Sequence, residues 1–227
     1  NLQAAESRYR QALALRPELI PANIGLARIH YMNRNDFLAV YQLEQVLDWE
    51  PHNYDARVYL ARIHQSNSEF EKALEVLDAG QAYHESNLYF RLEIGKIHQQ
   101  IGEIESALSH FHFVIENQIV SEKPISQKES RSLKSEALSS IARIHLEAKD
   151  TEQAENYLQR AIETMPHNYP ALLLSATIAF DQGDRSLALS RFKQIAALPD
   201  EIRPPIQNIA ETNPSPEWKN LVNEAMQ

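Results

Sequence analysis

A four-residue phrase returns along this chain at a fixed interval. Ala27-Arg28-Ile29-His30 recurs as Ala61-Arg62-Ile63-His64, then as Gly95-Lys96-Ile97-His98, then as Ala142-Arg143-Ile144-His145. His30 to His64 is 34 residues, His64 to His98 is 34 again, and His98 to His145 is 47, one period plus 13. Pro51-His52-Asn53-Tyr54 likewise returns as Pro166-His167-Asn168-Tyr169. Self-similarity at such a period means that one supersecondary unit is copied and stacked. The unit is helical, because apolar residues recur three and four apart: Leu74 and Leu77; Leu108, Phe111 and Ile115; Leu158, Ala161 and Ile162. Small residues at Ala27, Ala61, Gly95 and Ala142 let paired helices approach closely. A lone hairpin cannot hide its apolar stripe, so at least three must stack.

The slots can be followed through every copy. A large–small pair in the first helix falls on Leu26-Ala27, Leu60-Ala61, Ile94-Gly95, Ile141-Ala142 and, less well, Ser175-Ala176. An alanine in the second helix falls on Ala5, Ala39, Ala73, Ala107, Ala154 and Ala188, with a large residue four later at Tyr9, Leu43, Leu77, Phe111, Leu158 and Phe192. A closing proline stands at Pro17, Pro51 and Pro166. This resembles the tetratricopeptide repeat (TPR) family, whose 34-residue hairpins show these slots. Three slots depart from the family pattern. The mid-helix aromatic is His in four copies and Ala179 in the fifth; the early Trp is replaced by Asn23, Arg57, Arg91, Leu138 and Leu172; the closing Pro is lost at Glu85, Ile119 and Asp200. The resemblance covers residues 4 to 200 and implies an all-α, right-handed α-solenoid of helix-turn-helix repeats.

The repeat divides the chain into one solenoid domain: a half repeat at 2–19, repeats at 20–53, 54–87 and 88–121, an insertion at 122–134, repeats at 135–168 and 169–202, and a degenerate cap at 203–227. The half repeat is a second helix without its first, and the chain does not begin with Met, so it reads as part of a longer protein. In the insertion, Pro124 interrupts any helix, and Ser126-Gln127-Lys128-Glu129 has the S-x-x-E form of a capping box. One long helix is expected from about Gln127 to Ala148. In the cap, Pro204 and Pro205 suit an opening turn for Ile206, Ile209 and Ala210, and Ser215-Pro216-Glu217 opens a helix with Trp218, Leu221, Val222 and Ala225 on one face.

Several chemistries are excluded. There is no Cys, hence no disulfide, thiol nucleophile or cysteine-based zinc site. No motif of a serine hydrolase, phosphate-binding loop or zinc protease occurs, so no enzyme and no cofactor is expected. The ladder His30, His64, His98, His145 does not read as a metal site, because stacked helix layers stand about 8–10 Å apart and ligands of one ion must lie within about 2.1 Å of it. A packed, hydrogen-bonded His is expected in each copy. The net charge of −9 opposes binding to nucleic acid and to anionic membrane, and no run of about 18 apolar residues spans a bilayer. RNA binding of the related pentatricopeptide kind is opposed by that charge and by the Ala and Pro slots. A soluble protein of the cytoplasm or periplasm is expected.

Two residues before each His stands a cation: Arg28, Arg62, Lys96 and Arg143, with Thr177 in the last copy. At about 100° per residue, Arg28 lies on the opposite side of its helix from Leu26. The resemblance implies that this side lines a concave, peptide-binding groove. The candidate groove residues are Arg28, Tyr31, Arg62, Gln65, Lys96, Gln99, Arg143 and Thr177. Ile24, Val58, Leu92, Ser139, Leu146, Leu173 and Phe180 share their stripes. Two uses of the cations are open: they bind a ligand, or they pair with neighbouring carboxylates. The expected function is a protein-interaction scaffold or adaptor whose groove binds an acidic, partly apolar peptide or helix. An alternative is a TPR module of a bacterial envelope assembly or polysaccharide-export system. Co-chaperone relatives place Asn where Arg28 and Arg62 stand, which argues against a heat-shock-protein tail as ligand. Uncovered solenoid ends also allow self-association.

Overall fold

The computed structural model describes residues 2–81, 87–117 and 126–225. Among them the regular structure is entirely helical. The helices are α1 (Leu2–Leu15), α2 (Ile20–Met32), α3 (Asp36–Trp49), α4 (Tyr54–Ser66), α5 (Phe70–Gln81), α6 (Leu88–Ile101) and α7 (Ile104–Glu116). They continue as α8 (Gln127–Glu147), α9 (Thr151–Thr164), α10 (Tyr169–Asp181), α11 (Arg185–Ala196), α12 (Ile206–Glu211) and α13 (Pro216–Ala225). Glu85, Ile119 and the start of the expected insertion with Pro124 lie outside the described residues. The chain forms two compact units, Asn1–His110 and Phe111–Gln227.

In the first unit, α1 to α6 each pack on the next, and α2 touches α4 as α4 touches α6. This is the contact pattern of stacked hairpins. The alanine slot explains the closeness: Ala39, Ala73 and Ala107 are fully buried, as are Ala154 and Ala188 in the second unit. Ala5 is only half-buried, and α1 buries no residue completely. What seats α1 is Tyr9, whose ring lies so close to Gly25 of α2 that a Cβ there would stand 2.5 Å from it.

Each hairpin turns through one left-handed residue: Arg34, Ser68, Gly102, Lys149 and Gly183, with φ of 60, 61, 82, 62 and 79°. The left-handed residue turns the chain so that a later N–H reaches back over it. Thus Asn35, Glu69, Glu103, Asp150 and Asp184 donate their backbone N–H to the carbonyls of His30, His64, His98, His145 and Ala179, at 2.8–2.9 Å. The histidine ladder belongs to the same turn. The Nδ1 of His64 lies 2.7 Å from Glu69, that of His98 2.7 Å from Glu103, and that of His145 3.5 Å from Asp150. In these three turns a side-chain contact therefore runs beside the backbone bond and helps tie the turn shut. His30 is buried, and burial, opposed by the charge of Glu6, holds it below the ordinary imidazole range.

The recurring Pro-His-Asn-Tyr phrase has a matching role at the other end of the hairpin. Its Asn is the N-cap of the next first helix: Asn53 accepts from the N–H of Ala56 at 2.9 Å and Asn168 from that of Ala171 at 3.1 Å. The early-Trp slot is filled by donors in the first unit. Asn23 donates to the carbonyl of Pro17 at 2.8 Å, and the Arg57 guanidinium to that of Pro51 at 2.7 and 2.9 Å. In the second unit the same slot is apolar, and Leu138 and Leu172 are buried there.

The second unit runs α8 on α9, α9 on α10, α10 on α11, and α13 on α11 and α12. The capping box at Ser126 forms in both directions: the Ser126 N–H donates to Glu129 at 2.9 Å, and the Glu129 N–H to the Ser126 hydroxyl at 3.2 Å. α8 is accordingly the longest described helix, at 21 residues. Trp218 of α13 is fully buried, edge-on to Phe180 and Phe192, and its indole N–H donates to the Ile209 carbonyl at 3.0 Å.

Candidate functional site

The cations sit at one slot of the first helices: Arg28 on α2, Arg62 on α4 and Lys96 on α6 in the first unit, and Arg143 on α8 in the second. Arg28, Arg62 and Arg143 are exposed on helices otherwise largely buried. Tyr31, Gln65, Lys96, Gln99 and Thr177 are half-buried. The stripe expected beside them is narrower than the sequence suggests. Val58, Leu92 and Ser139 are buried rather than exposed. Each lies four residues before its cation, about 40° round the helix, and Val58 of α4 packs in the core with Phe90, Ile94 and Ile97 of α6.

A second regularity governs what the cations touch. The Arg28 guanidinium lies over the Tyr59 ring, 5.1 Å from its centre, and Arg62 donates to Glu93 at 2.8 Å. In both cases the partner is 31 residues further on, in the next first helix. Lys96 donates to the same Glu93 oxygen from one turn along α6, at 3.4 Å. Gln65 donates to Gln100 at 2.6 Å, a further bond between α4 and α6. Two of the four cations thus converge on one carboxylate, and the cluster keeps a net charge of one positive.

Glu93 is nearly buried, its side chain 9% exposed, while that of Arg62 is 47% exposed. Burial pushes the Glu93 carboxyl upward, but the Lys96 charge and the Arg62 hydrogen bond outweigh it and hold the group below its ordinary range. Beside it, burial and the Glu93 charge push the Tyr54 hydroxyl far above the usual phenol range, so it stays protonated. Glu93 and Tyr59 escape a search of the sequence for repeats because their slot reads Gly25, Tyr59, Glu93, Ser140 and Leu174 and carries no recurring residue. The signal that finds Glu93 is positional: a carboxylate one period less three residues after a cation, and three residues before the next.

In the second unit, the corresponding partner slot of Arg143 is Leu174. Arg143 makes no hydrogen bond or ion pair among the described residues. Its neighbours on the first-helix stripes are apolar: Leu146, Leu173 and Phe180, all half-buried. Thr177 donates to the Leu173 carbonyl at 2.9 Å. On these stripes the described residues of the unit therefore offer Arg143 as an open cation together with several apolar side chains.

The groups able to do chemistry are arranged otherwise. Among the described residues no three His, Asp or Glu side chains lie together as a metal site. His98 stacks on His110 at 5.5 Å, and burial, then the charges of Arg91 and His98, lowers His110 to about 4. His145 stacks on Tyr157 at 5.3 Å in the same way. These rings serve packing between paired helices. No described helix is long and apolar enough to cross a membrane.

A sequence model of the tetratricopeptide repeat matches residues 38–92 and 145–203, together half of the chain. A search of curated proteins finds no match. Among solved structures, the chain is similar to the Cut9–Hcn1 hetero-tetramer of APC/C, with a TM-score of 0.68 at 14% identity over 100% of this chain and 40% of that one. It is similar to pilF of Pseudomonas aeruginosa, with a TM-score of 0.66 at 16% identity over 92% of this chain and 90% of that one. It is also similar to yeast Tom70, with a TM-score of 0.65 at 14% identity over 97% of this chain and 42% of that one. The chain spans about two-fifths of the matched Cut9–Hcn1 and Tom70 chains. At these identities the likeness shows a shared fold.

Proposed function

This chain belongs to the tetratricopeptide repeat family, and from that premise we propose that it is a non-catalytic protein-interaction scaffold whose two units each present an exposed first-helix face to an acidic, partly apolar segment of a partner. The observation that carries the reading is the recurrence of an exposed arginine at one slot of those helices, Arg28, Arg62 and Arg143, in a chain of net charge −9. Arg62 supports it in a particular way. Its guanidinium is held by Glu93 yet remains half exposed, so part of the ordering cost of a docking donor is met before a ligand arrives. A partner carboxylate 4 Å from such a cation gains about 1 kcal/mol in water and about 4 kcal/mol at an effective dielectric of 20. Leu146, Leu173 and Phe180 beside Arg143 supply the apolar share.

The test compares co-purified proteins between the wild type and the Arg28→Glu, Arg143→Glu double variant. Neither change touches Glu93, and a thermal melt checks that the fold is kept without the Arg28–Tyr59 contact. Loss of the same partner band from the double variant, with an unchanged thermal melt, is the expected outcome. An identical partner set at identical recovery contradicts the reading.

A further inference from the structure

Arg28 and Arg62 are each held by the residue at one slot of the next first helix, and each keeps donors to spare. The Tyr59 ring lies 5.1 Å from the Arg28 guanidinium carbon. A ring takes the flat face of a guanidinium and leaves its N–H edge open. Arg28 makes no hydrogen bond or ion pair among the described residues, so the fork that grips a carboxylate through two bonds is available. Arg62 gives one nitrogen to Glu93 at 2.8 Å and remains 47% exposed.

The charges on this face resolve into two. Lys96 donates to the same Glu93 oxygen, and its side chain is only 25% exposed, so it serves as the standing counter-charge of Glu93. One net positive charge is left at Arg28 and one at Arg62. The helices α2, α4 and α6 carry one other carboxylate, Asp55, which stands seven residues before Arg62, about 10 Å away along α4. Packed helices stand about 8–10 Å apart. Both guanidinia lean toward the following first helix, so the two charges keep that separation.

The separation selects a backbone for the ligand. In an extended segment, side chains on one face are two or four residues apart, about 7 or 13 Å. In an α-helix, residues seven apart share a face and lie about 10.5 Å apart along the axis. We propose that the first unit binds an α-helix of its partner and reads two carboxylates seven residues apart on it, one at Arg28 and one at Arg62. Tyr59 and Glu93 are the positioning residues. The bound helix runs across α2 and α4, along the direction of stacking. The second unit lacks this arrangement, since Leu174 fills the slot of Tyr59 and Glu93 and Thr177 fills the cation slot after Arg143. The proposal rests on the reading given above and names the form of the ligand.

The test uses three Ala-rich helical peptides of one composition. Each carries two glutamates on one face, four, seven or eleven residues apart, which is about 6, 10.5 or 16.5 Å. A fourth peptide has glutamine at both places. Affinities for the full chain are measured by isothermal titration calorimetry, and a thermal melt of each variant checks folding. The seven-residue spacing should bind about fivefold or more tighter than the other two. Arg28→Gln and Tyr59→Leu should abolish that preference, and Tyr59→Phe, which keeps the ring, should retain it. A Tyr59 that only packs would change the melt and leave the preference in place. Equal affinities for the three acidic peptides, all above that of the glutamine peptide, would overturn this proposal and leave the wider reading standing. A glutamine peptide bound as tightly as the acidic ones would overturn both. A preference that persists in Arg28→Gln or in Tyr59→Leu would also refute the arrangement.

Discussion

Arg62 of α4 donates to Glu93 of α6 at 2.8 Å, and Glu93 is nearly buried while Arg62 is half exposed. The bond joins the first helices of successive hairpins, so one residue of the candidate face also helps hold the stack. Lys96 shares the same carboxylate oxygen. Substituting either cation therefore disturbs packing as well as charge. Arg28 and Arg143 are the cleaner probes of binding.

Replacing Glu93 by Gln should lower stability at pH 7 by about 1–3 kcal/mol, because two cations lose a buried counter-charge. The pH dependence has a definite sign. The folded carboxyl is held below its ordinary value of 4.5, so its contribution is complete above that value and is lost as the pH falls through the folded one. Urea denaturation of both proteins should give a constant difference from pH 6 to 8 and a shrinking one below about pH 4.5. A difference that grows on acidification would contradict this account.

The hairpin turns make a second prediction. Ser68 adopts a φ of 61°, and Gly102 holds the same slot one hairpin later. Ser68→Gly should stabilise the first unit by about 0.5–1 kcal/mol, and Gly102→Ala should cost about 1 kcal/mol. Paired thermal melts read both, and equal effects of the same sign would refute the shared turn.

Asn168 does more than Asn53, although both cap a first helix. Its amide also donates to the Ser135 hydroxyl at 2.6 Å and the Ser139 hydroxyl at 3.2 Å, and both serines are buried. Asn53→Ala should cost about 1 kcal/mol, and Asn168→Ala about 2–3 kcal/mol, since buried hydroxyls lose a donor as well. Chemical denaturation gives both numbers, and the reverse order would be inconsistent with the network.

Trp218 closes the second unit. Trp218→Ala should cost about 3–5 kcal/mol through the cavity left beside Phe180 and Phe192. Calorimetry should show the loss as a lowered transition, and a melt within a degree of the wild type would show that α13 contributes little.

The hairpin architecture is legible in the sequence because stacking fixes a small residue at a fixed step. Ala39, Ala73, Ala107, Ala154 and Ala188 must be alanine where two helices touch, and all are buried. The capping box at Ser126 is legible because it is local. The turn residue is less so, since Arg34, Ser68 and Lys149 adopt a conformation that glycine alone advertises. The candidate face is half legible. Repetition reveals Arg28, Arg62, Lys96 and Arg143, but their partners Tyr59 and Glu93 are contacts between helices with no recurring residue type. By helical angle alone Val58 and Leu92 share the cations' stripes, yet both are buried, and Val58 packs in the core with Phe90 and Ile94 of the next first helix.

Peptide selection tests the central claim most directly. A random peptide display library is panned against the immobilised wild type, and the affinity of the enriched peptides is measured for wild type, Arg28→Glu and Arg143→Glu at two salt concentrations. The account predicts peptides rich in Asp and Glu among apolar residues, affinity that falls as salt rises, and, for each peptide, a loss of about tenfold or more in at least one of the two variants. Neutral or basic peptides that bind wild type and both variants equally, with no dependence on salt, would contradict it.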